Sequence, residues 1–429
     1  MEAINVAIIG MGTVGQGVAM LLLENQERLE KQLGGKIVLR RLLEKDYEKE
    51  LDFDRGDIPI SDNWKDVVDD PEIHIVVEVM GGIEPARTFI SEALKSGKHV
   101  VTANKDLLAE HGQELFAIAK ASGVDLYFEA SVGGAIPVLS SLRQNLGTES
   151  IKQIMGIVNG TTNYILTRMT NEGGDFQEIL ADAQRLGYAE ANPAADVEGT
   201  DAARKTAVLA TLAFHSEVTL ADVFVEGITG ITREDILFAE RLGYAIKLIA
   251  LCKEVDGRIE ARVHPTLLPK DHPLAAVHDV FNAVFIKTAH MDDMMLYGRG
   301  AGRFPTAGAV LGDIAEIARN IRLNAAGRLT EVSSREKAIV PIEDVETRFF
   351  LRLLLADKPG VLAAVAKVLS DYHVNLEKVN QTDFKGEDAE LVIVTRQVRE
   401  GDMRKALEEL RGLAVTKEII TVLRVEGVS

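Results

Sequence analysis

Cysteine is almost absent from this chain: Cys252 is the only one among 429 residues. A single thiol cannot form a disulfide within the chain, so the fold does not depend on an oxidising compartment. Cys252 follows an apolar run, residues 245–251, that we interpret as helical, and in such a run a small buried side chain is commoner than a nucleophile. We therefore expect a cytoplasmic protein whose cysteine takes no part in catalysis.

Positive charge and long apolar runs are also scarce. The chain has 48 Lys and Arg residues against 66 Asp and Glu residues, a formal net charge of -18. Such a chain repels phosphate backbones and anionic lipid headgroups, so we expect neither nucleic acid nor membrane as a partner. No window holds the ~20 apolar residues of a spanning helix, and the N-terminus lacks signal-peptide features. Histidine and cysteine show no metal-ligand spacing.

The length fits two or three domains, and the first is predicted to span residues 1–130. There, short apolar runs alternate with helical patterns, which is typical of a doubly wound parallel sheet, an α/β fold of the Rossmann type. The predicted strands are 5–9, 37–43, 73–79, 99–102 and 125–128, and the predicted helices are 14–33, 84–96 and 105–121.

The rest of the chain follows other patterns. Residues 131–305 show strands followed by helices, which predicts an α+β catalytic and dimerisation domain with strands at 151–158, 223–228 and 259–266. A helix over 306–326 is expected to pack back on the first domain. Residues 327–346 are predicted to be a linker, and 347–426 a small βαββαβ domain.

A glycine-rich turn follows the first predicted strand and precedes a helix. It consists of Gly10, Gly12 and Gly15, with Thr13 and Val14 between the last two. The glycines allow a tight turn and close approach of a pyrophosphate, and the helix N-terminus offers unpaired N–H groups. We predict that a nicotinamide dinucleotide binds here.

The end of the second strand carries charges of both signs. Glu44 could accept a hydrogen bond from the ribose 2′-hydroxyl of NAD, whereas Arg40, Arg41 or Lys45 could neutralise the 2′-phosphate of NADP. The sequence therefore leaves the choice between NAD and NADP open.

Two lysines are candidates for catalysis. Lys105 follows the strand at 99–102, at the sheet edge where ligands bind in open α/β folds. Lys205 lies four residues after Asp201, so the two share a helix face, and the rest of that helix is apolar nearly all round. Hydride transfer to a carbonyl carbon places negative charge and then a proton on the oxygen, which an ammonium group can stabilise and supply. We assign that role to Lys205, substrate orientation or a shared proton relay to Lys105, and neutralisation of a substrate ammonium group to Glu190 and Asp201.

The chain resembles the homoserine dehydrogenase family over nearly its whole length. The motifs that carry the resemblance are residues 10–15, 102–105, 129–137, 159–166 and 190–205. It implies NAD(P)H-dependent interconversion of L-aspartate 4-semialdehyde and L-homoserine in threonine, methionine and isoleucine biosynthesis. Lys205 matches the family's proton donor, Lys105 its second active-site lysine, and Glu190 and Asp201 its substrate-binding carboxylates.

The resemblance also implies further ligands. It places substrate at Asp196 and Thr161 and cofactor at Lys105, Gly187 and Gly302. A monovalent cation, Na⁺ or K⁺, is expected near the segment Glu129, Val132, Gly134 and Ile136, held partly by backbone carbonyls.

The C-terminal unit resembles an ACT domain through residues 357–362 and 375–379. Such domains usually pair between subunits and bind an amino acid, so the resemblance implies a homodimer or homotetramer with feedback inhibition by threonine. The effector positions would be Asp357, Gly360 and Asn375. A dimerisation module without a ligand is the alternative.

The chain departs from the family pattern at two places. The family commonly has Arg where Glu44 stands, which makes NAD a fair alternative to NADP. Arg299 and Arg303 replace residues that are usually small or apolar in a glycine-rich loop, and their charge could partly offset Glu44.

Two other functions remain open from the residues alone. Another semialdehyde dehydrogenase, such as aspartate-semialdehyde dehydrogenase, needs a cysteine for a thioacyl intermediate, and Cys252 is badly placed for it. A non-catalytic amino-acid sensor would keep the same folds, but both lysines and both carboxylates are present.

Overall fold

The computed structural model describes residues 3–327, 336–383 and 388–427. The chain divides into two compact units. Unit 1 comprises Met1–Gln153, Arg204–Val223 and Asn282–Lys337, and unit 2 comprises Ile154–Ala203, Phe224–Phe281 and Ala338–Ser429. Residues 328–335 of the predicted linker lie outside the described residues.

The first part of the chain alternates strands and helices as the sequence predicts. Its elements are β1 Ile4–Ile9, α1 Thr13–Glu24, α2 Gln26–Leu33, β2 Ile37–Leu43, β3 Ile60–Ser61, α3 Lys65–Val68, β4 Ile73–Glu78, α4 Ala86–Lys95, β5 His99–Thr102, α5 Lys105–Ser122, β6 Leu126–Tyr127 and α6 Val138–Ser140. A one-turn π-helix, Ser141–Asn145, follows α6.

The middle of the chain begins with helices and then forms long strands. Its elements are β7 Ile151–Ile157, α7 Gly160–Glu172, α8 Phe176–Arg185, α9 Ala194–Val197, α10 Thr200–Phe214, β8 Phe224–Val225, α11 Arg233–Arg241, β9 Tyr244–Val255, β10 Arg258–Pro269, β11 Phe281–Thr288, β12 Asp293–Arg299 and α12 Arg303–Arg322.

The C-terminal part has the predicted βαββαβ order, with one added two-residue strand. Its elements are β13 Glu346–Ala356, α13 Val361–Asp371, β14 Leu376–Asp383, β15 Asp388–Thr395, β16 Val398–Arg399, α14 Glu400–Gly412 and β17 Thr416–Val425.

Unit 1 contains a six-stranded sheet in the order β3-β2-β1-β4-β5-β6, and every pair in it is parallel. The strand order reverses between β1 and β4, which is the point where open α/β sheets bind their ligands. Here the turns after the two strands meet, because a Cβ added to Gly10 would lie 2.8 Å from the backbone nitrogen of Met80. The predicted Rossmann-type fold is confirmed, and the crevice for a dinucleotide lies beside Gly10.

Helix α12 completes the core of this sheet. Its residues Ala307, Val310, Ile314 and Ile317 are fully buried and belong to the same apolar cluster as β1, β2 and α1. Their spacing of three and four residues places them on one helix face, so burial of that face fixes how α12 lies on unit 1.

From Ile154 of β7 onward, unit 2 contains strands in the order β7-β9-β10-β17-β13-β15-β14. Strands β9 and β10 form an antiparallel hairpin over twelve residue pairs. Strand β10 then pairs in parallel with β17 at Thr266–Arg424 and Leu267–Val425. Strand β17 belongs to the βαββαβ motif, whose helices α13 and α14 cover one face of its sheet. The C-terminal motif therefore extends the sheet of the preceding strands.

Three secondary-structure predictions need correction. The predicted helix 14–33 is two helices that break at Asn25, whose side chain donates to the Leu21 carbonyl and competes with the helix ladder. The apolar run 245–251 is strand β9 and not a helix, because apolar residues on both faces hide the two-residue period. The predicted strand 223–228 is reduced to Phe224–Val225.

In the described part of the chain, helices of spanning length all fall short of the hydropathy that a bilayer requires.

Candidate active site

The glycine-rich turn of unit 1 has the geometry of a pyrophosphate cradle. Gly10 has a φ of +96°, and a Cβ on Gly15 would lie 1.9 Å from the Gly10 carbonyl oxygen, so neither position accepts another residue. Gly12 precedes α1 and has open space where its Cβ would be. Among the described residues, no side chain caps α1 and none in its first turn is acidic. The first N–H groups of α1 are thus arranged for an external anion, and the residues present fit a dinucleotide.

Glu44 lies beside this turn. The backbone N–H of Met11 donates to Glu44 Oε2 at 2.7 Å, although 33 residues separate the two in the chain. The carboxylate is therefore held at the mouth of the cradle, where a ribose 2′-hydroxyl would be near and a 2′-phosphate would meet a like charge.

Arg40 is engaged elsewhere. Its Nε lies 2.8 Å from Asp70 Oδ2, and its Nη2 pairs with Glu72. The Asp70 side chain is the main factor that raises the pKa of Arg40. A cofactor phosphate would have to compete with these two carboxylates for the guanidinium.

A buried carboxylate holds the segment before Lys105. Glu78, at the end of β4, accepts hydrogen bonds from Met80 N–H at 2.8 Å and from the Thr102 hydroxyl at 2.5 Å. Burial raises the pKa of Glu78, and these hydrogen bonds oppose the shift. Asn104 donates to the Gly82 carbonyl at 2.7 Å and caps α5 by accepting from a backbone N–H. Three residues thus fix the backbone from which Lys105 projects.

Lys105 and Lys205 are both half-buried and both in unit 1. Their immediate neighbours in the chain are joined: Arg204 Nε lies 3.0 Å from Asp106 Oδ1. This contact links the first turn of α5 to α10. The structure therefore brings the two predicted catalytic lysines to the same region of unit 1.

In unit 2, one amide joins two of the predicted substrate ligands. Asn159 Nδ2 donates to Asp196 Oδ1 at 2.7 Å and to Asp201 Oδ2 at 2.9 Å. The Oδ1 atom of Asn159 accepts from Thr162 N–H and caps α7. Asp201 is buried, with 8% of its surface exposed. The amide hydrogens hold two carboxylates close together without adding charge, which leaves a negatively charged site suited to an ammonium group.

The remaining predicted substrate residues of unit 2 are Thr161, in the first turn of α7, and Glu190, on the loop after α8. The Thr161 hydroxyl donates to the Tyr188 carbonyl at 2.6 Å, so it is engaged by the loop that Gly187 opens with a φ of +76°. Glu190, two residues after Tyr188 on this loop, is exposed.

Gly302 immediately precedes α12 and has a φ of +126°, a conformation that favours glycine. Arg303, the next residue, packs on Gly17 of α1 and pairs with Asp52. The Arg299 carbonyl accepts from Ala135 N–H at 3.1 Å. The carboxylate of Asp52 therefore partly neutralises the charge of Arg303.

The predicted cation segment lies within unit 1. The Glu129 carboxylate accepts from Leu139 N–H at 2.9 Å and from Ser140 N–H at 2.6 Å, and its pKa is raised by burial. The Ile136 carbonyl accepts from the Val138 N–H at 2.7 Å. A Cβ on Gly134 would lie 2.5 Å from the Gly300 carbonyl oxygen, so that position requires glycine. Among the described residues, acidic, His and Cys side chains form no metal-binding group of three or more.

The predicted effector residues lie at the two ends of α13. Asp357 and Gly360 precede the helix, and Asn375 follows it. A helix of 11 residues is about 16 Å long. A single free amino acid does not bridge that distance, so one chain does not bring the three positions together.

Cys252 is 1% exposed in β9, and burial raises the pKa of its thiol. A buried thiol with a raised pKa is a poor nucleophile, which removes the semialdehyde dehydrogenase chemistry that needs a thiolate.

Sequence reasoning missed Glu78 and Asn159 as site residues. Glu78 ends a buried strand just before a pair of glycines, and a carboxylate there is a usable signal. Asn159 offered only the pattern of a helix N-cap, because its two aspartate partners are 37 and 42 residues away.

Comparison with known proteins finds three matching family models. They are the NAD binding domain of homoserine dehydrogenase at residues 10–129, homoserine dehydrogenase at 137–315, and the ACT domain at 349–415. The chain is 45% identical to the homoserine dehydrogenase of Bacillus subtilis (strain 168) over 429 residues, which covers 100% of this chain and 99% of that protein. It is 43% identical to the Corynebacterium glutamicum enzyme, with 99% of this chain and 96% of that one covered. A crystal structure of a homoserine dehydrogenase from Thiobacillus denitrificans matches with a TM-score of 0.94 and 38% identity over 99% of both chains.

Proposed function

This chain belongs to the homoserine dehydrogenase family, and we propose from the geometry how its residues divide the work of the reaction. It is a nicotinamide-dependent oxidoreductase that interconverts L-aspartate 4-semialdehyde and L-homoserine. The observation that carries the assignment is the pairing of Asp196 and Asp201 through Asn159, with Asp201 one helical turn before Lys205 on α10. A carboxylate pair for the substrate ammonium group and an amine for its oxygen thus lie on one short stretch of chain.

The proton transfer is proposed for Lys205. When bound, the nicotinamide supplies or accepts the hydride at the carbon that bears the oxygen. Lys205 stabilises the negative charge on that oxygen and donates a proton to it in the direction of homoserine. Lys105, whose backbone is fixed through Asn104, orients the substrate beside it. Asp196, Asp201 and Glu190 bind the ammonium group, and the Thr161 hydroxyl supports the loop that carries Glu190.

NAD is proposed as the preferred cofactor. The Glu44 carboxylate at the mouth of the cradle accepts a hydrogen bond from a ribose 2′-hydroxyl and repels a 2′-phosphate. The guanidinium of Arg40 is already paired with two carboxylates. Gly10, Gly12, Thr13, Val14 and Gly15 hold the pyrophosphate, and Gly302, in the same unit, contacts the rest of the cofactor.

A monovalent cation, Na⁺ or K⁺, is proposed at Glu129, Val132, Gly134 and Ile136. The support is the packing of this segment, with a buried carboxylate at its start and a position restricted to glycine within it. Backbone carbonyl oxygens are hard ligands that suit such an ion. Turnover in KCl or NaCl that exceeds turnover in choline chloride at equal ionic strength is the expected result.

The ACT domain is proposed to bind threonine in a homo-oligomer. Asp357 and Gly360 lie at one end of α13 and Asn375 at the other, so paired domains from two subunits are needed to surround one ligand. Edge strands support self-association: Tyr297 on β12 is 53% exposed and Val379 on β14 is 45% exposed.

Cellular location and domain limits are proposed as well. A cytoplasmic location fits an enzyme that draws on the pool of nicotinamide cofactors. Domains at 1–130, 131–305 and 347–426 are supported by the ranges of the three family models.

One assay tests the function. Purified protein is incubated with L-homoserine and either NAD or NADP, with and without threonine, and reduced nicotinamide is followed by its absorbance. We expect turnover with both cofactors, a higher kcat/KM with NAD, and inhibition by threonine. Absence of turnover with either cofactor contradicts the enzymatic assignment and favours a sensor.

A further inference from the structure

The loop after β8 contacts the substrate segment, which we define as residues 196–201. The backbone N–H of Ile228 donates to the Val197 carbonyl at 2.8 Å. Gly227 packs so closely that a Cβ there would lie 2.3 Å from the same carbonyl oxygen. Because this contact is between backbones, the segment cannot move relative to the loop without losing a hydrogen bond or creating a clash.

The same loop is held from its other side by the ACT domain. The Glu226 N–H donates to the Val263 carbonyl of β10 at 2.8 Å. The Glu226 carboxylate accepts from Arg424 Nη1 at 2.6 Å and from Nη2 at 3.3 Å, a two-point contact that restricts rotation. Arg424 lies on β17 and is 3% exposed.

Arg424 is itself fixed in place. Its Nε donates to Glu400 Oε2 at 2.9 Å and its Nη2 to Glu400 Oε1 at 2.7 Å, so two carboxylates surround one buried guanidinium. The guanidinium carbon lies 4.9 Å from the centre of the Phe224 ring in β8. An arginine held on three sides is a rigid anchor, whereas Glu226, with 44% of its side chain exposed, is the adjustable member.

We propose that Glu226 is a positioning residue for the reaction. It ties the loop 226–228 to Arg424 of the ACT domain, and the loop sets the position of the substrate segment. The inference rests on the proposed role of Asp196 and Asp201 as substrate ligands. Loss of the Glu226 carboxylate frees the loop, so the two aspartates meet the substrate ammonium group less well, while the transfer of hydride and proton is unaffected.

A purely structural ion pair predicts a different result. Glu226→Gln then removes one of the two carboxylates around the buried Arg424, which lowers stability but has no effect on substrate binding. The kinetic constants distinguish a positioning role of Glu226 from a purely structural one. Only a positioning role raises KM for homoserine without a matching change in kcat or in KM for the cofactor.

The test uses the full-length variants Glu226→Gln and Glu240→Gln. Glu240 is a matched control, since it pairs with Lys270 at 3.4 Å in unit 2 with 34% of its side chain exposed. For Glu226→Gln we expect KM for homoserine to rise about fivefold, the low end of couplings between sites, with kcat and cofactor KM nearly unchanged. The control should match wild type in all three constants. Unchanged KM in Glu226→Gln, or an equal rise in the control, overturns the inference.

A second variant approaches the same contact through the backbone. Gly227→Ala pushes against the Val197 carbonyl, and we expect KM for homoserine to rise by about the same factor or more. If the thermal stability of Glu226→Gln is too low for kinetics, Gly227→Ala tests the step from loop to substrate segment: wild-type KM for homoserine overturns the inference, and a raised KM supports control of the segment by the loop. The wild-type assay separates failure of the proposed function from failure of this inference. If wild type does not oxidise homoserine, the proposed function is rejected. If wild type is active and both variants have its kinetic constants, only the role of Glu226 is rejected.

Discussion

Arg204 and Asp106 form an ion pair with 3.0 Å between Nε and Oδ1, and each is the chain neighbour of a lysine with a proposed catalytic role. The pair is half-buried, with 24% and 31% of the two side chains exposed. It connects the start of α5 to α10 within unit 1. The distance between the amines of Lys105 and Lys205 therefore depends on a contact that neither lysine makes itself.

Asp106→Asn should lower turnover by about tenfold, because small displacements of catalytic groups are costly. We expect the melting temperature to fall by only a few degrees, since half-exposed pairs add little stability. Measuring kcat for Asp106→Asn, Arg204→Gln and the double variant gives the check. If the two single effects simply multiply in the double variant, the ion pair is not their common cause.

Lys205→Ala should lower kcat by about 10²-fold to 10⁴-fold, the usual contribution of a positioned acid or base. Affinity for NAD should stay close to wild type, because the glycine turn and Glu44, which are proposed to bind the cofactor, are unchanged. Steady-state kinetics and a cofactor titration by fluorescence measure the two quantities. Lys95→Ala, in the last turn of α4, serves as the control. Wild-type turnover in Lys205→Ala would remove the assigned role.

Glu44→Arg should shift the cofactor preference toward NADP. The carboxylate that faces the 2′-position is replaced by a guanidinium that binds a 2′-phosphate, and each tenfold change corresponds to about 1.4 kcal/mol. The ratio of kcat/KM for NADP to that for NAD is the measurement. Arg40→Ala is the companion variant, and we expect its ratio to match wild type because Arg40 binds Asp70 and Glu72. An unchanged ratio in Glu44→Arg contradicts the placement of the 2′-position.

Asn159→Asp should raise KM for homoserine by about tenfold or more, since it turns an amide that joins two carboxylates into a third carboxylate. Aspartate is a good helix N-cap, so α7 should keep its start and the protein should fold. Kinetics at several pH values test the idea. Recovery of homoserine binding at lower pH, where one of the three carboxyls is protonated, is expected in the variant alone.

Asp313→Asn should remove a pH-dependent loss of stability. Burial, with a further contribution from Glu129, raises the pKa of Asp313 from 3.8 to about 8. A carboxyl with a higher pKa in the folded chain than in the unfolded chain contributes its full stability at pH values below the unfolded pKa. This contribution is lost as pH rises toward the folded pKa of about 8. The amide does not titrate and still accepts from Glu129 N–H.

Thermal unfolding from about pH 5 to pH 9 checks this prediction. The free energy of unfolding of the variant should increase relative to that of wild type as pH rises, by up to about 1.4 kcal/mol per pH unit. The difference should be constant above about pH 8. A difference that does not change with pH would show that Asp313 is ionised in the folded state throughout this range.

Local patterns predicted the first sheet and the C-terminal motif, but not all of the middle of the chain. Alternating apolar runs and helices predicted the parallel sheet, and the glycine turn after β1 predicted the cradle, because both depend on residues close in the chain. The order of the C-terminal strands and helices was predicted for the same reason. Strand β9 was mistaken for a helix because a run that is apolar on both faces has no clear period.

The sequence by itself determined the chemistry that is available: two lysines, the acidic residues near them, and a turn that only glycine can form. Tertiary structure alone decided which of these groups act on one another. Asn159 meets Asp201 across 42 residues and Glu226 meets Arg424 across 198. Such contacts arise when separate elements pack together to bury apolar surface, and no short-range periodicity records which side chains that packing brings into contact.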